Sequence, residues 1–231
     1  MPLFCKTKNF CKTAVLLTVM ISISANLNGQ KKISFGLYAD PVISWFKSDI
    51  KEVYNDGSRA GFNFGLTFNR YFSENYSFST GINILTAGGR LAATDFTDLD
   101  LPDDVTVAPG KPVIYKMQYL SVPLGLKLQT NQIGYLTFFS DIGIDPKILL
   151  GGKLDVPSLS VDAENASSEL RMFNLSYHIT AGIEYSLGGS TSFVAGLGFE
   201  NCFLDVTREN FDQPNDIITQ KLIHFRLGVN F

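Results

Sequence analysis

The feature that most constrains this chain is a period of two in its hydrophobicity, clearest at its end. From Leu222 onward, Leu222, Ile223, Phe225, Leu227, Val229 and Phe231 are apolar, while His224, Arg226, Gly228 and Asn230 are polar or small. Successive side chains of a strand point to opposite faces, so this spacing builds one apolar face and one polar face, which a helix would scatter around its circumference. A strand with lipid on one side and a polar lumen on the other needs this pattern. A final outward-facing aromatic such as Phe231 is the expected ending of an outer-membrane β-barrel.

Seven further stretches share the pattern: Ile33 to Trp45, Arg59 to Tyr71, Asn75 to Leu91, Val113 to Gln129, Ile133 to Leu150, Leu170 to Leu187 and Ser190 to Val206. The second is the most regular, with Phe62, Phe64, Leu66 and Phe68 opposite Asn63, Gly65, Thr67 and Asn69. Each stretch reaches the about 9–11 tilted residues that a bilayer crossing requires, and an even strand number suits a bacterial single-chain barrel. Short connections, Phe72 to Glu74, Thr130 to Gln132 and Gly188-Gly189, alternate with long ones, Phe46 to Ser58, Ala92 to Pro112, Gly151 to Glu169 and Thr207 to Gln220. The expected fold is all-β: an eight-stranded antiparallel up-and-down transmembrane β-barrel. Short turns belong on the periplasmic side, so both termini are expected in the periplasm of an outer-membrane protein.

The beginning of the chain agrees. Lys6, Lys8 and Lys12 precede an uncharged apolar stretch, Ala14 to Ile23, too short for a transmembrane helix and laid out as a secretory signal. Residues 1–29 are read as a signal peptide and residues 30–231 as one barrel domain; cleavage after Ser24 or Ala25 is an alternative to Gly29-Gln30. Removing three lysines leaves sixteen basic residues against twenty-two acidic ones, a balance that disfavours nucleic-acid binding. Only Cys202 survives processing, so no internal disulfide staples the domain.

A soluble eight-stranded barrel, with an apolar interior and a polar exterior, is the competing architecture. The inner face here carries Asp40, Lys127, Asp141, Glu184, Glu200 and Arg226, which argues against it. Lys127, Asp141, Glu184, Glu200 and Arg226 are therefore the candidate lumen ion network, with Lys127 expected to face an acid such as Asp141. Proline cannot donate to a sheet ladder, so Pro123 is expected at a bulge and Pro41 at a bulge or break. The glycine pairs Gly88-Gly89, Gly151-Gly152 and Gly188-Gly189 read as strand ends.

The segment Tyr119-Leu120-Ser121-Val122-Pro123-Leu124-Gly125-Leu126-Lys127 resembles the Tyr-Leu-x-Ile/Val-Pro-Leu-x-x-Lys segment of the PorT-like outer-membrane barrel family of Bacteroidetes. Signal, strand number and final Phe extend the resemblance along the mature chain. It implies an eight-stranded outer-membrane barrel, in a family whose namesake is linked to type IX secretion and gliding. Ser121 stands where that family often carries an acidic residue.

No catalytic, cofactor or metal site is expected. His178 and His224, the only histidines, fall on inward positions of strands that flank the seventh, and Ser176 shares the face of His178 without a spacing that forces contact. Cys202 has no neighbour that would activate it. Asp95, Asp98, Asp100, Asp103 and Asp104 crowd one loop but lack the Gly and Glu placement of an EF-hand, and read as a solvated loop. A looser role bridging lipopolysaccharide cations is the intermediate reading. The expected function is non-enzymatic: a barrel in contact with outer-membrane lipid and lipopolysaccharide, meeting an envelope protein partner through its outer loops. The alternatives are an accessory part of a secretion or gliding assembly and a barrel that binds a small ligand. Eight strands leave an interior that side chains just fill, so an open pore fits least.

Overall fold

The computed structural model describes residues 33–99, 105–208 and 217–231. The expected signal peptide, residues 1–29, and the acids Asp100, Asp103 and Asp104 lie outside these. In chain order the strands are β1 (Ile33–Ser48), β2 (Val53–Gly57), β3 (Arg59–Ser73), β4 (Tyr76–Ala93), β5 (Thr97–Leu99), β6 (Val105–Val107), β7 (Val113–Ser121), β8 (Leu124–Gln129), β9 (Leu136–Val156), β10 (Val161–Asn165), β11 (Phe173–Gly188), β12 (Thr191–Cys202) and β13 (Ile218–Asn230). A single 3₁₀ turn, Pro157–Leu159, joins β9 to β10.

Eleven strands form one sheet, and its pairings close on themselves. Going round, β1 pairs β3, β3 pairs β4, β4 pairs both β7 and β8, these pair β9, and β11, β12 and β13 lead back to β1, every contact antiparallel. Because β7 and β8 share one stave, the ring has the eight staves that the alternation predicts. β2 and β10 pair alongside the upper ends of β4 and β9 at the long-connection end, and β5–β6 is a separate hairpin there. All four of the stretches read as long loops thus contain paired strand, the last through Ile218 to Gln220 of β13.

Burial labels the two faces. Outward stand Phe35, Leu37, Phe62, Phe64, Leu66, Phe78, Ile82, Ile84, Leu124, Leu126, Ile142, Ile144, Leu197 and Phe225, all exposed, while Ser34, Asp40, Asn63, Asn69, Ser79, Asn83 and Lys127 are buried inside. A water-soluble barrel would have to reverse this; an apolar exterior band is what hydrocarbon accepts. At the short-turn end Phe72 stacks on Tyr76 and Tyr135 leans on Tyr185, exposed rings at the level where an aromatic girdle meets the headgroups.

Pro123 corrects the sequence reading, while Pro41 gives the break rather than the bulge of its two expected alternatives. Ser121 pairs Asn83 and Leu124 pairs Thr80, a step of three on both strands, and the same step relates Lys147 to Ile144 on the other side. Pro123 therefore interrupts the ladder without a bulge: the chain skips two residues of pairing and resumes in register. The bulge of this stave lies at Gln118 and Tyr119, which pair Gly151 and Leu149 and leave Leu150 unpaired. Pro41 behaves similarly. Pairing to β13 lapses between Tyr38 and Val42 with no change of register, and Asp40 Oδ1 accepts the Leu227 N–H within that lapse.

Of the glycine pairs, Gly188-Gly189 is the expected turn, with φ of 105° and 62°. Gly88-Gly89 instead lies within β4 and Gly151-Gly152 within β9. Gly89 is required by close approach, since a Cβ there would stand 2.6 Å from the Phe46 ring.

Candidate functional site: the barrel interior

The interior has two halves of opposite chemistry. From the short-turn end upward it is polar and ionic. Ser34 accepts a hydrogen bond from Asn69 Nδ2 at 3.2 Å. Above them Lys127 is ion-paired with Glu184, which also accepts from Asn230 Nδ2 at 3.0 Å, and the Lys127 ammonium lies 4.8 Å from the Phe139 ring centre. Next comes Arg226, whose Nε donates to Asp40 Oδ2 at 2.9 Å while its guanidinium lies over the Tyr38 ring at 4.1 Å. Tyr38 Oη in turn accepts from Asn83 Nδ2 at 2.8 Å.

At mid-height His178 sits between two carboxylates, with Nδ1 2.8 Å from Asp145 Oδ2 and Nε2 3.6 Å from Asp141 Oδ1. It has room because Gly125 and Gly143 lie beneath it; a Cβ on Gly143 would stand 2.8 Å from His178 Cε1. Lys147 is ion-paired with Glu200, which also accepts the Ser176 hydroxyl at 2.5 Å. His224 Nε2 stands 3.2 Å from Thr180 Oγ1 and packs onto Gly198. Asn63 Oδ1, Asn83 Oδ1 and Ser121 Oγ are buried without a protein hydrogen-bond partner, the condition that ordered internal water normally meets.

Above this level the same inner face becomes apolar. Val42, Phe46, Leu85, Ala87, Met117, Tyr119, Leu154, Val156, Leu170 and Leu222 form one buried cluster, joined by Leu99 and Val107 from the β5–β6 hairpin. Phe46 meets Tyr115 edge to face, with ring centres 5.9 Å apart. Ser44 closes a remaining seam: its hydroxyl donates to Gly88 O at 2.7 Å and accepts from Gly88 N–H at 2.9 Å, bridging β1 to β4 just where β3 begins.

All five residues of the expected network face the interior, but they pair differently from the expectation. Lys127 and Asp141 are directly opposite in the β8–β9 register, yet the ammonium passes over β9 to Glu184 on β11 and Asp141 is left to His178. Glu200 and Arg226 belong to two further pairs, with Lys147 and Asp40. Asp40, Asp145, Lys147 and His178 complete the network; the sequence reading put Asp40 and His178 on the inner face without making them members and did not single out Lys147. The signal for Lys147 was the β9 alternation, which continues past Asp145 for one more inward position. Ser176 turns its hydroxyl to Glu200 rather than His178, so the shared face yields no nucleophile on a base. Cys202 is buried at the end of β12. Among the described residues, no group of three or more His, Cys, Asp or Glu is placed to hold a metal ion.

The sequence matches the model of a family described as an outer membrane protein beta-barrel domain over residues 22–208. Among solved structures, Neisserial surface protein A matches with a TM-score of 0.48 and 10% identity over 88% of this chain and 98% of that one. The outer membrane protein OprG from Pseudomonas aeruginosa gives 0.45 and 11% over 86% and 94%. The attachment invasion locus protein Ail of Yersinia pestis gives 0.40 and 13% over 86% and 97%. No curated protein matches the chain.

Proposed function

The chain belongs to the family of outer membrane protein β-barrel domains, and from that premise we propose that it is a non-enzymatic barrel that acts through the hairpins at its long-connection end. The observation that carries the reading is the filled interior. Ion pairs occupy the lower half and a continuous apolar cluster the upper half, so transport through the lumen has no path and the exposed hairpins are the surface left to work with. The termini then lie in the periplasm, because the short turns share their end of the barrel. The segment Tyr119 to Lys127 supports a place among the PorT-like barrels, and with it an envelope protein as the partner of the hairpins.

The test combines conductance with topology. Reconstituted in a planar bilayer, the protein should give no steady ohmic conductance. In intact cells a Phe96→Cys variant in a Cys202→Ser background should react with a membrane-impermeant thiol reagent, since Phe96 is strongly exposed beside β5. A stable open channel overturns the plugged reading, and labelling only after permeabilisation overturns the orientation.

A further inference from the structure

We infer that the outer wall of the barrel carries a site for the phosphate of an anionic lipid headgroup, formed by Arg59, Lys116 and Lys153 at the upper border of the apolar band. The choice of lipid A as the occupant rests on the orientation proposed above, which puts this border in the outer leaflet; the site itself does not.

Three rows of residues in register show how the border is built. Ile84, Leu120 and Ile148 lie side by side on β4, β7 and β9 and belong to the apolar band. The row above is Thr86, Gln118 and Gly151, and there the lipid-facing surface turns polar. The next is Gly88, Lys116 and Lys153. Because Gly88 has no side chain, the stem of Arg59 can lie over it: a Cβ at Gly88 would stand 3.2 Å from Arg59 Cδ. The result is a line of three cations across neighbouring staves. The unpaired Leu150 loosens β9 at the same height, and Arg59, Thr86, Lys116, Gln118, Leu150 and Lys153 line a pocket there.

Two observations fit this pocket to an anion. First, Lys116 and Lys153 are directly opposite each other, an arrangement that repels unless negative charge lies between. Asp155 takes up Lys116 and is also within electrostatic reach of Arg59, and Asp162 stands 3.9 Å from Lys116, but Lys153 has no ion-pair partner among the described residues. Second, Arg59 Nη1 is buried without a hydrogen-bond partner. A planar guanidinium fork beside two ammonium groups matches a phosphate, and Leu150 with the row of Ile84 and Leu120 below offers acyl chains of the same molecule an apolar wall. Phosphate is the anion that lipid headgroups present at this depth.

The test is native mass spectrometry of the full mature barrel in non-ionic detergent with three added lipids: diphosphorylated lipid A, its dephosphorylated form, and phosphatidylglycerol. Wild type should retain lipid A and not the dephosphorylated form. Arg59→Gln/Lys153→Gln should retain it at least tenfold less, while Lys47→Gln/Lys221→Gln, on β1 and β13 across the barrel from Lys116 and Lys153, should match wild type. Retention of phosphatidylglycerol with the same dependence on Arg59 and Lys153 upholds the site and assigns it to a phospholipid. Equal lipid A retention by the double variant, or equal retention of the dephosphorylated lipid, overturns it. Heat-modifiable gel migration reports folding; if the double variant does not fold, Lys153→Gln alone, an exposed change, should still weaken retention. Detergent removes any dependence on orientation, so failure of the thiol labelling with lipid retention intact refutes the orientation and leaves the site standing.

Discussion

The two halves of the barrel interior solve the same filling problem with opposite materials. In the lower half Lys127–Glu184, Arg226–Asp40 and Lys147–Glu200 hold strands together by directional pairs, each specific for one partner. In the upper half Leu85, Tyr119, Leu154 and Leu222 fill space without direction. The lower half is enclosed by a wall whose outside is apolar, so its charges must satisfy each other. The upper half rises past that band, where the outer face turns polar at Thr86, Gln118 and Lys116, and it can be packed as an ordinary core facing a wet exterior. A buried ion pair adds little net stability over an apolar replacement but makes a wrong partner expensive. An apolar core adds stability in proportion to the volume filled. Register is therefore expected to be enforced below and stability gained above.

The largest effect should come from breaking a lower pair one-sidedly. Lys147→Ala leaves Glu200 buried with only the Ser176 hydroxyl, and should cost about 3–5 kcal/mol in urea unfolding of the barrel in lipid vesicles. The double variant Lys147→Met/Glu200→Leu should recover most of that loss. If it is as unstable as the single variant, the lower half is not acting through charge compensation.

Leu154→Ala, in the upper half, should cost about 3 kcal/mol by leaving a void beside Leu170 and Val156. Here a second truncation such as Leu170→Ala should add to the loss instead of relieving it. Rescue by the second truncation would erase the distinction between the halves.

Asp40→Asn comes next, at about 1–3 kcal/mol. The amide keeps an acceptor for the Leu227 N–H but not the charge for Arg226, whose guanidinium still has the Tyr38 ring beneath it. A cost equal to that of Lys147→Ala would mean that the cation–π contact contributes nothing.

The same contrast explains what could be read from the sequence. Alternation located all eight staves because band and polar lumen are both regular along them, and Asp40, Lys127 and Arg226 fell on the inner face for that reason. It failed at the border, where the inner face becomes apolar while the outer becomes polar. On β4 the reading of faces stops at Ile84, and Leu85, Ala87 and Leu91 then enter the core. On β9 the unpaired Leu150 also flips parity: Asp145 and Lys147 point in before it, Gly152 and Leu154 after it, so a strict period of two puts Leu154 on the wrong face. Partner choice within the lumen was out of reach as well. Lys127 neighbours Asp141 in register, but a long side chain can pass over the neighbouring strand β9 and reach the next one, β11, where Glu184 is.

The smallest effect concerns the same chemistry placed outside the band. Lys116–Asp155 is a Lys–carboxylate pair like Lys147–Glu200, but it sits on the outer wall above Leu150. Slight burial raises the Asp155 carboxyl, and the hydrogen bonds from Lys116 and from the Ala163 N–H outweigh it, so the group ionises below the usual carboxylate range. A depressed folded-state value contributes stability above the unfolded value, near pH 4, and loses it as pH falls through the folded one. Asp155→Asn should therefore lower stability at neutral pH by no more than about 1 kcal/mol and flatten the decline below about pH 4. Salt should weaken this pair, which water reaches, and leave Lys147–Glu200 unchanged. Equal salt sensitivity of the two pairs would mean that solvent enters the lower half of the lumen, and the contrast between the halves would then rest on packing alone.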